Sequence, residues 1–346
     1  MLSAARTPAA SRRSHGGTPR PVLAAGVAAL VVLCVPTAPV HTVAADLPPA
    51  AARADSRVYV TNQQDDTVSV IDAHTHKVVA TVPAGTAPEG VAVAKDGRRL
   101  YVADSGSARV SVLDTHTYKT VATVPVGKSP TGVALSPDGG SLYVTNGTSN
   151  TVSVIDTHTQ RASATIPVGR SPVNVALSRD GTQAYVANAG SGTLSVIDTR
   201  THQVTRQLPA GRSPVAVAVT KDGKAAYVAD EVGTHVLAIA TDSGKATTVN
   251  VGTGPFDVAI SPDGRYAYSA NLGPGNVSVI DTGSTHVSAT IALGPPGTDP
   301  FNLAVTDAAI YVTNQGAGTL AVVDSASHKV VATVTVGAQP YGVAVR

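Results

Sequence analysis

The stretch GVAVAKDGRRLYVADSGSARVSVLDTHTYKTVATVPV (residues 90–126) contains four short β-prone runs separated by turn residues. The runs are GVAVA (90–94), LYVAD (100–104), RVSVLD (109–114) and KTVATVPV (119–126). Asp96-Gly97, a Ser/Gly loop and an Asp-Thr-His-Thr turn lie between them, and a Gly-x-x-Pro connection leads onward. Each is an established turn chemistry, so the segment reads as a four-stranded antiparallel meander. Its Tyr101 has counterparts at Tyr59, Tyr143, Tyr185, Tyr227, Tyr268 and Tyr311, so the unit repeats along the chain at steps of 42, 42, 42, 42, 41 and 43.

A meander of this length cannot bury both of its faces alone. Stacking such sheets radially about an axis solves the problem and leaves only short protected edges. Residue sizes fit the wedge: Gly, Ala and Val in the first strand suit a crowded axis, and each Tyr on the second strand supplies bulk where neighbouring sheets diverge. The first unit starts at its second strand, RVYVTN (57–62), and the chain ends at a first strand, YGVAVR (341–346). The expectation is an all-β, seven-bladed propeller of four-stranded blades, closed by the C-terminal strand pairing into the N-terminal blade.

The recurring pattern YVTN…TVSVIDT…VVATVPVG…P-x-GVAVSPDG resembles the YVTN family of β-propeller repeats, and the resemblance covers residues 57–346. It implies a propeller at an extracytoplasmic address, in a secreted or cell-surface protein. It implies little chemistry, because propellers serve as platforms, scaffolds and enzymes alike. The fifth unit departs most: Ala240 replaces the usual Asp, and HVLAIATDSGKATT (235–248) loses the consensus.

Residues 1–45 read as a signal peptide. Arg6, Arg12, Arg13 and Arg20 form a basic region, PVLAAGVAALVVLCVP (21–36) is apolar, and Val43 and Ala45 are small residues suited to a cut before Asp46. The apolar run, broken by Pro36 and Pro39, is short of the roughly 20 residues of a spanning helix, so a retained anchor is the lesser alternative. Residues 46–56 then form a linker and 57–346 the propeller. Cleavage removes Cys34, the only cysteine. It also removes four Arg and no acid, leaving 21 basic against 23 acidic residues, a formal net charge of −2. No cluster of Lys or Arg is visible along the sequence, so nucleic acid is not an expected partner.

In such a meander the loops after strands one and three share one face of the disc. The loops after strand two and the inter-blade connections share the other. The first face carries the Asp-Gly turns and His74, His76, His116, His158, His202 and His328. These histidines lie on the outer strands of separate blades, too far apart to share an ion. They read as solvated turn residues, and no metal or cofactor is expected. Asp72, Asp114, Asp156, Asp198, Asp281 and Asp324 read as acceptors of turn N–H bonds.

The second face breaks symmetry. Asn62, Asp104, Asn146, Asn188, Asp230, Asn271 and Asn314 form a ring at the ends of the second strands, read as Asx turns, with ligand contacts as the alternative. The position after each inter-blade Pro reads Glu89, Thr131, Val173, Val215, Phe256, Phe301 and Tyr341 around the ring. The protein has two Phe, and both occur here. Phe256, Phe301, Tyr341 and Glu89 fall on consecutive blades, with Asp257 and Asn302 directly after the two Phe. In the same sector the connection GPPGTDP (294–300) is longer than its counterparts. Aromatic rings grouped with a few polar side chains suit a sugar, a peptide or an apolar ligand, or they plug the channel. Asp65-Asp66 is an adjacent acid pair that reads as a solvated loop, or as a contributor to a cation site.

The Cys-x-x-Cys-His haem signature, the Gly-x-Ser-x-Gly elbow, the His-Glu-x-x-His zinc motif and the phosphate-cradling Gly loop do not occur. Lactonase and haem-binding propellers are relatives by architecture alone, and none of their functional residues carries over. The expected function is a non-enzymatic binding or surface-scaffold protein that uses Phe256, Phe301, Tyr341, Glu89, Asp257 and Asn302 to recognise an extracellular glycan, cell-wall component or peptide. The alternative is a hydrolase or lactonase drawing on Glu89, Asp104, Asp230 and Asp257, and a third reading is a purely structural envelope protein. The mature chain is expected to be a monomer without a membrane span. It would be extracellular or wall-associated, or periplasmic if the source has an outer membrane; the Ala/Arg/Pro-rich signal resembles those of high-GC Gram-positive bacteria.

Overall fold

The computed structural model describes residues 56–346, so the expected signal peptide and all but the last residue of the linker lie outside the described residues. The described residues form 28 strands in seven four-stranded antiparallel sheets. Blades II to VII span Pro88–Pro125, Pro130–Pro167, Pro172–Pro209, Pro214–Asn250, Pro255–Ala292 and Pro300–Thr335. Blade I combines Arg57–Pro83 with the last strand, Pro340–Val345. That strand pairs antiparallel with Arg57–Asn62 in the register Val58↔Val345, Tyr59↔Ala344, Val60↔Val343 and Asn62↔Pro340. The ring therefore closes as the strand count predicts.

The two middle strands of each blade are sandwiched by neighbours on both faces. This explains why runs such as TVSVID (67–72) lack a polar side and are buried along their middle four residues. Outer strands alternate instead, leaving Val79, Val121 and Val331 exposed at the rim. The seven repeat tyrosines are 1–4% exposed, so each is a core residue. Each reaches into the next blade: Tyr59 packs on Val91, Leu100 and Leu113, Tyr185 on Val217, Val228 and Ile239, and Tyr311 on Val58, Val60 and Ile71. Burial of one such side chain contributes about 1.5–3 kcal/mol. These inter-blade clusters run around the ring and cross the closure seam without a gap.

Blade V departs in structure as it does in sequence. The other blades carry a bulge between their third and outer strands, as at Val70/Ile71. Blade V pairs without one, and its outer strand, Ala246–Asn250, has five residues. Among the described residues no helix is long and apolar enough to cross a membrane.

Candidate functional site

The inner strands of all seven blades surround a central cavity of about 220 Å3. Phe256, Asp257, Asn302 and Tyr341 line it, with Thr131 and Asn174 opposite. No Lys, Arg or His is among its lining residues.

The structure brings the three aromatic candidates together. Phe256 and Phe301 stack with ring centroids 3.7 Å apart and planes at 27°. Tyr341 meets Phe301 edge-on, at 4.7 Å and 65°. The three rings thus span the inner strands of blades VI, VII and I. Phe301 is the buried middle ring, while Phe256 and Tyr341 are partly exposed and are among the residues that line the cavity. An edge-on contact such as Phe301–Tyr341 adds about 0.5–1.5 kcal/mol beyond burial. The rings occupy one sector of the circle of inner strands, and the cavity lies beside them.

Glu89 completes the row on blade II. It is buried, accepts a 2.9 Å hydrogen bond from Gln63 Nε2, and interacts with Ser105 and the Tyr341 hydroxyl. Burial pushes its carboxyl upward and these hydrogen bonds oppose the shift. It is not among the residues that line the cavity. Asp257 does line it. Its Oδ2 accepts the Leu303 N–H at 2.8 Å, yet burial without a cationic partner pushes its carboxyl up to about 7. Burial drives the Tyr341 hydroxyl well above its ordinary range, and the negative charges of Glu89, Asp257 and Glu231 add to the shift. Gln63, Ser105 and Glu231 sit on loops after second strands and were not singled out from the sequence.

The inner strands are joined by two devices. In blades I, III and VII a threonine near the end of the second strand accepts an N–H from its own inner strand and donates to a carbonyl of the next blade. Thr61 accepts from Gly342 N at 2.8 Å and donates to Glu89 O at 2.5 Å. Thr145 does the same for Gly132 and Val173, and Thr313 for Asn302 and Tyr341. Blades IV and VI carry Ala187 and Ala270 at that position. There Asn174 and Asp257 reach across instead, to Val217 N and Leu303 N.

The Asn/Asp ring has a different role from the one its sequence suggests. Its members are at most 1% exposed and do not form local Asx turns. Asn62 Nδ2 donates to Thr67 and Ser69 on the neighbouring strand, at 2.9 and 3.0 Å, and its Oδ1 accepts Gly337 N. Asp104 and Asp230 occur in the two repeats whose facing residue is basic. Asp104 pairs with Arg109 Nε at 3.3 Å, and Asp230 with His235 Nε2 at 3.3 Å. Ser111 donates to Asp104, reversing the part Ser69 plays for Asn62. These two acids, offered for the hydrolase alternative, are therefore latches outside the cavity wall. Asp65 and Asp66 accept Ala338 N and Ala87 N, clipping neighbouring connections to blade I.

The long connection 294–300 does not line the cavity. Thr298 Oγ1 donates to Pro295 O at 2.6 Å, and the segment folds against the hairpin at 315–318, where Gly316 leaves room for the Gly297 carbonyl. On the opposite face, Asp72 Oδ1 accepts His74 N and Thr75 N, and Asp156 repeats the pattern, as the turn reading predicts. The turn histidines gather into no metal centre: the described residues hold no group of three His, Cys, Asp or Glu placed to bind an ion.

The mouth face has one charged feature that a linear scan misses. Lys128, Arg170 and Arg212 are exposed at equivalent places in three successive connections, VGKSP, VGRSP and AGRSP. They lie in the connections from blade II to blade V, where Arg212 N and Ser213 N donate to Asp230, and Arg109 adds a further base beside Asp104 on blade II.

Comparison with known proteins agrees with this architecture. The chain matches the YNCE-like β-propeller family over residues 40–139, 134–226 and 222–346. No curated protein is similar to it in sequence. Among solved structures it is similar to the hydrazine synthase of Kuenenia stuttgartiensis, at 25% identity and a TM-score of 0.67, covering 74% of this chain and 89% of that one. A functionally unknown protein from Desulfotomaculum acetoxidans DSM 771 gives 19% identity and a TM-score of 0.70, covering 84% and 98%. The dihydro-heme d1 dehydrogenase NirN, solved in complex with DHE, gives 16% identity and a TM-score of 0.63, covering 83% and 74%. At these identities the last two likenesses concern the fold alone.

Proposed function

The chain belongs to the YNCE-like β-propeller family, and from that premise we propose that it is a non-enzymatic, extracytoplasmic binding propeller whose ligand enters the channel mouth at Phe256, Phe301 and Tyr341. Family and fold alone leave the chemistry open, since propellers of similar shape include a hydrazine synthase and a dehydrogenase. The observation that carries the reading is the three-ring row on adjacent inner strands, two of whose residues, Phe256 and Tyr341, line the cavity. Aliphatic core packing does not require it, because the equivalent positions in three other blades are Thr131, Val173 and Val215. The ligand is an extracellular glycan, cell-wall fragment or peptide, and the signal segment 1–45 delivers the protein outside the cytoplasm as a monomer.

The two phenylalanines make the test direct. Phe-selective isotope labelling yields signals from Phe256 and Phe301 alone, both at the site. Titration with glycans, cell-wall fragments and peptides is expected to find a ligand that shifts both. A ligand that binds while leaving both unmoved would place the site elsewhere. N-terminal sequencing of the exported protein is expected to begin at Asp46.

One observation favours a second reading. Asp257 faces the cavity with its carboxyl at about 7, where a general base is useful. A lactone or ester turned over by the parent and not by Asp257→Asn would support the hydrolase.

A further inference from the structure

We infer that the aromatic sector of the mouth is selective for an organic ammonium ion, the end group of a larger ligand such as a lysine side chain or a quaternary amine; the inference rests on the binding reading above and names the chemistry that site prefers. Three observations converge. The cavity, at about 220 Å3, is below the roughly 300 Å3 at which drug-sized pockets begin, so it admits a compact head group and not a whole oligosaccharide. Phe256 and Tyr341 are among the residues that line it, and aromatic rings attract a cation held close to them. Glu89, Asp257 and Glu231 all place negative charge near the Tyr341 hydroxyl, and no base lines the cavity.

Asp257 is the most informative of the three. It is 7% exposed, and its recorded partners are backbone N–H groups. A buried carboxylate without a counter-charge is unfavourable, and an ammonium entering the cavity supplies one. The alkyl substituents of the same ligand cover the aromatic rings, so apolar and charged contacts are satisfied together.

The test uses choline and its uncharged isostere 3,3-dimethylbutan-1-ol as probes of the Phe-labelled protein. Choline is expected to shift both Phe signals saturably, and the isostere to bind at least about fivefold more weakly, as loss of the cation–π and carboxylate attraction requires. Asp257→Asn is expected to weaken choline about tenfold, and Glu231→Gln, at the rim, about twofold. Should Asp257→Asn fail to fold, Glu231→Gln and the fall in affinity with rising salt carry the charge test. If the isostere binds as well as choline, the preference for an ammonium ion is overturned while the binding propeller stands. If neither probe moves the Phe signals, the ammonium assignment is also overturned, and the glycan and peptide titrations decide the binding reading independently.

Discussion

Asp257 Oδ2 accepts the Leu303 N–H at 2.8 Å and so joins the inner strands of blades VI and VII from within the cavity wall. A carboxylate is not required for this link, because Asn174 reaches Val217 N in the same way between blades IV and V. The charge at Asp257 is therefore a liability to the unliganded fold. An acid whose folded pKa is raised holds its proton where the unfolded chain has released it, so stability falls as pH rises through that window. For Asp257 the window runs from the ordinary 3.8 to about 7. Asp257→Asn is expected to match the parent near pH 4 and to exceed it by up to roughly 4 kcal/mol above pH 7, at about 1.4 kcal/mol per unit. Melting curves across pH 4–8 check this, and a difference constant over the range would contradict it.

The latch ring predicts a compensating pair. Asn146→Asp places a buried carboxylate beside Thr151 and removes the amide that donates to Thr151 and Ser153. The expected cost is about 2–4 kcal/mol. Adding Thr151→Arg recreates the Asp104–Arg109 pair of blade II and is expected to recover at least half of the loss. Denaturant unfolding of the two single variants and the double variant reads the coupling, and strict additivity would argue against a shared latch.

The inner strands approach closely where the second position is glycine. A Cβ on Gly90 would lie 2.2 Å from the Thr131 carbonyl oxygen, whereas blade V accepts Ala216 at the equivalent place. Gly90→Ala is expected to destabilise by about 1–3 kcal/mol, and Ala216→Gly by about 1 kcal/mol or less. Chemical denaturation of both variants compares the two neighbourhoods directly.

Closure rests on the pairing of Pro340–Val345 with Arg57–Asn62. Deleting residues 341–346 removes that pairing, exposes the edge of the first strand and uncovers part of the Tyr311 cluster. The truncated protein is expected to lose its cooperative melting transition and to become protease-sensitive. A melt indistinguishable from the parent would show that the ring holds without its velcro strand.

Much of this architecture is legible in the repeat. Tyr spacing locates every second strand, the unmatched first and last strands announce the closure, and the position after each connecting Pro isolates Phe256, Phe301 and Tyr341. The rest is hidden for identifiable reasons. Asn62 bonds to Thr67 and Ser69 across a hairpin, so its ring looks like local turn chemistry until the repeats are aligned and Asp104 and Asp230 are seen to occur where Arg109 and His235 face them. Lys128, Arg170 and Arg212 are scattered in sequence and become neighbours because a 42-residue step is one blade. Residues 294–300 form a longer connection whose direction follows from Thr298 and Gly316, which length alone does not specify. The elevated carboxyl of Asp257 depends on what is missing around it, and only the assembled cavity reveals that.

The most direct measurement compares the parent with a folded Phe256→Ala/Phe301→Ala/Tyr341→Ala variant on an array of glycans, cell-wall fragments and peptides. A ligand retained by the parent and lost by the variant is the predicted result, and it would locate recognition at the mouth. A ligand held equally by both proteins would contradict the account and move recognition away from the three rings.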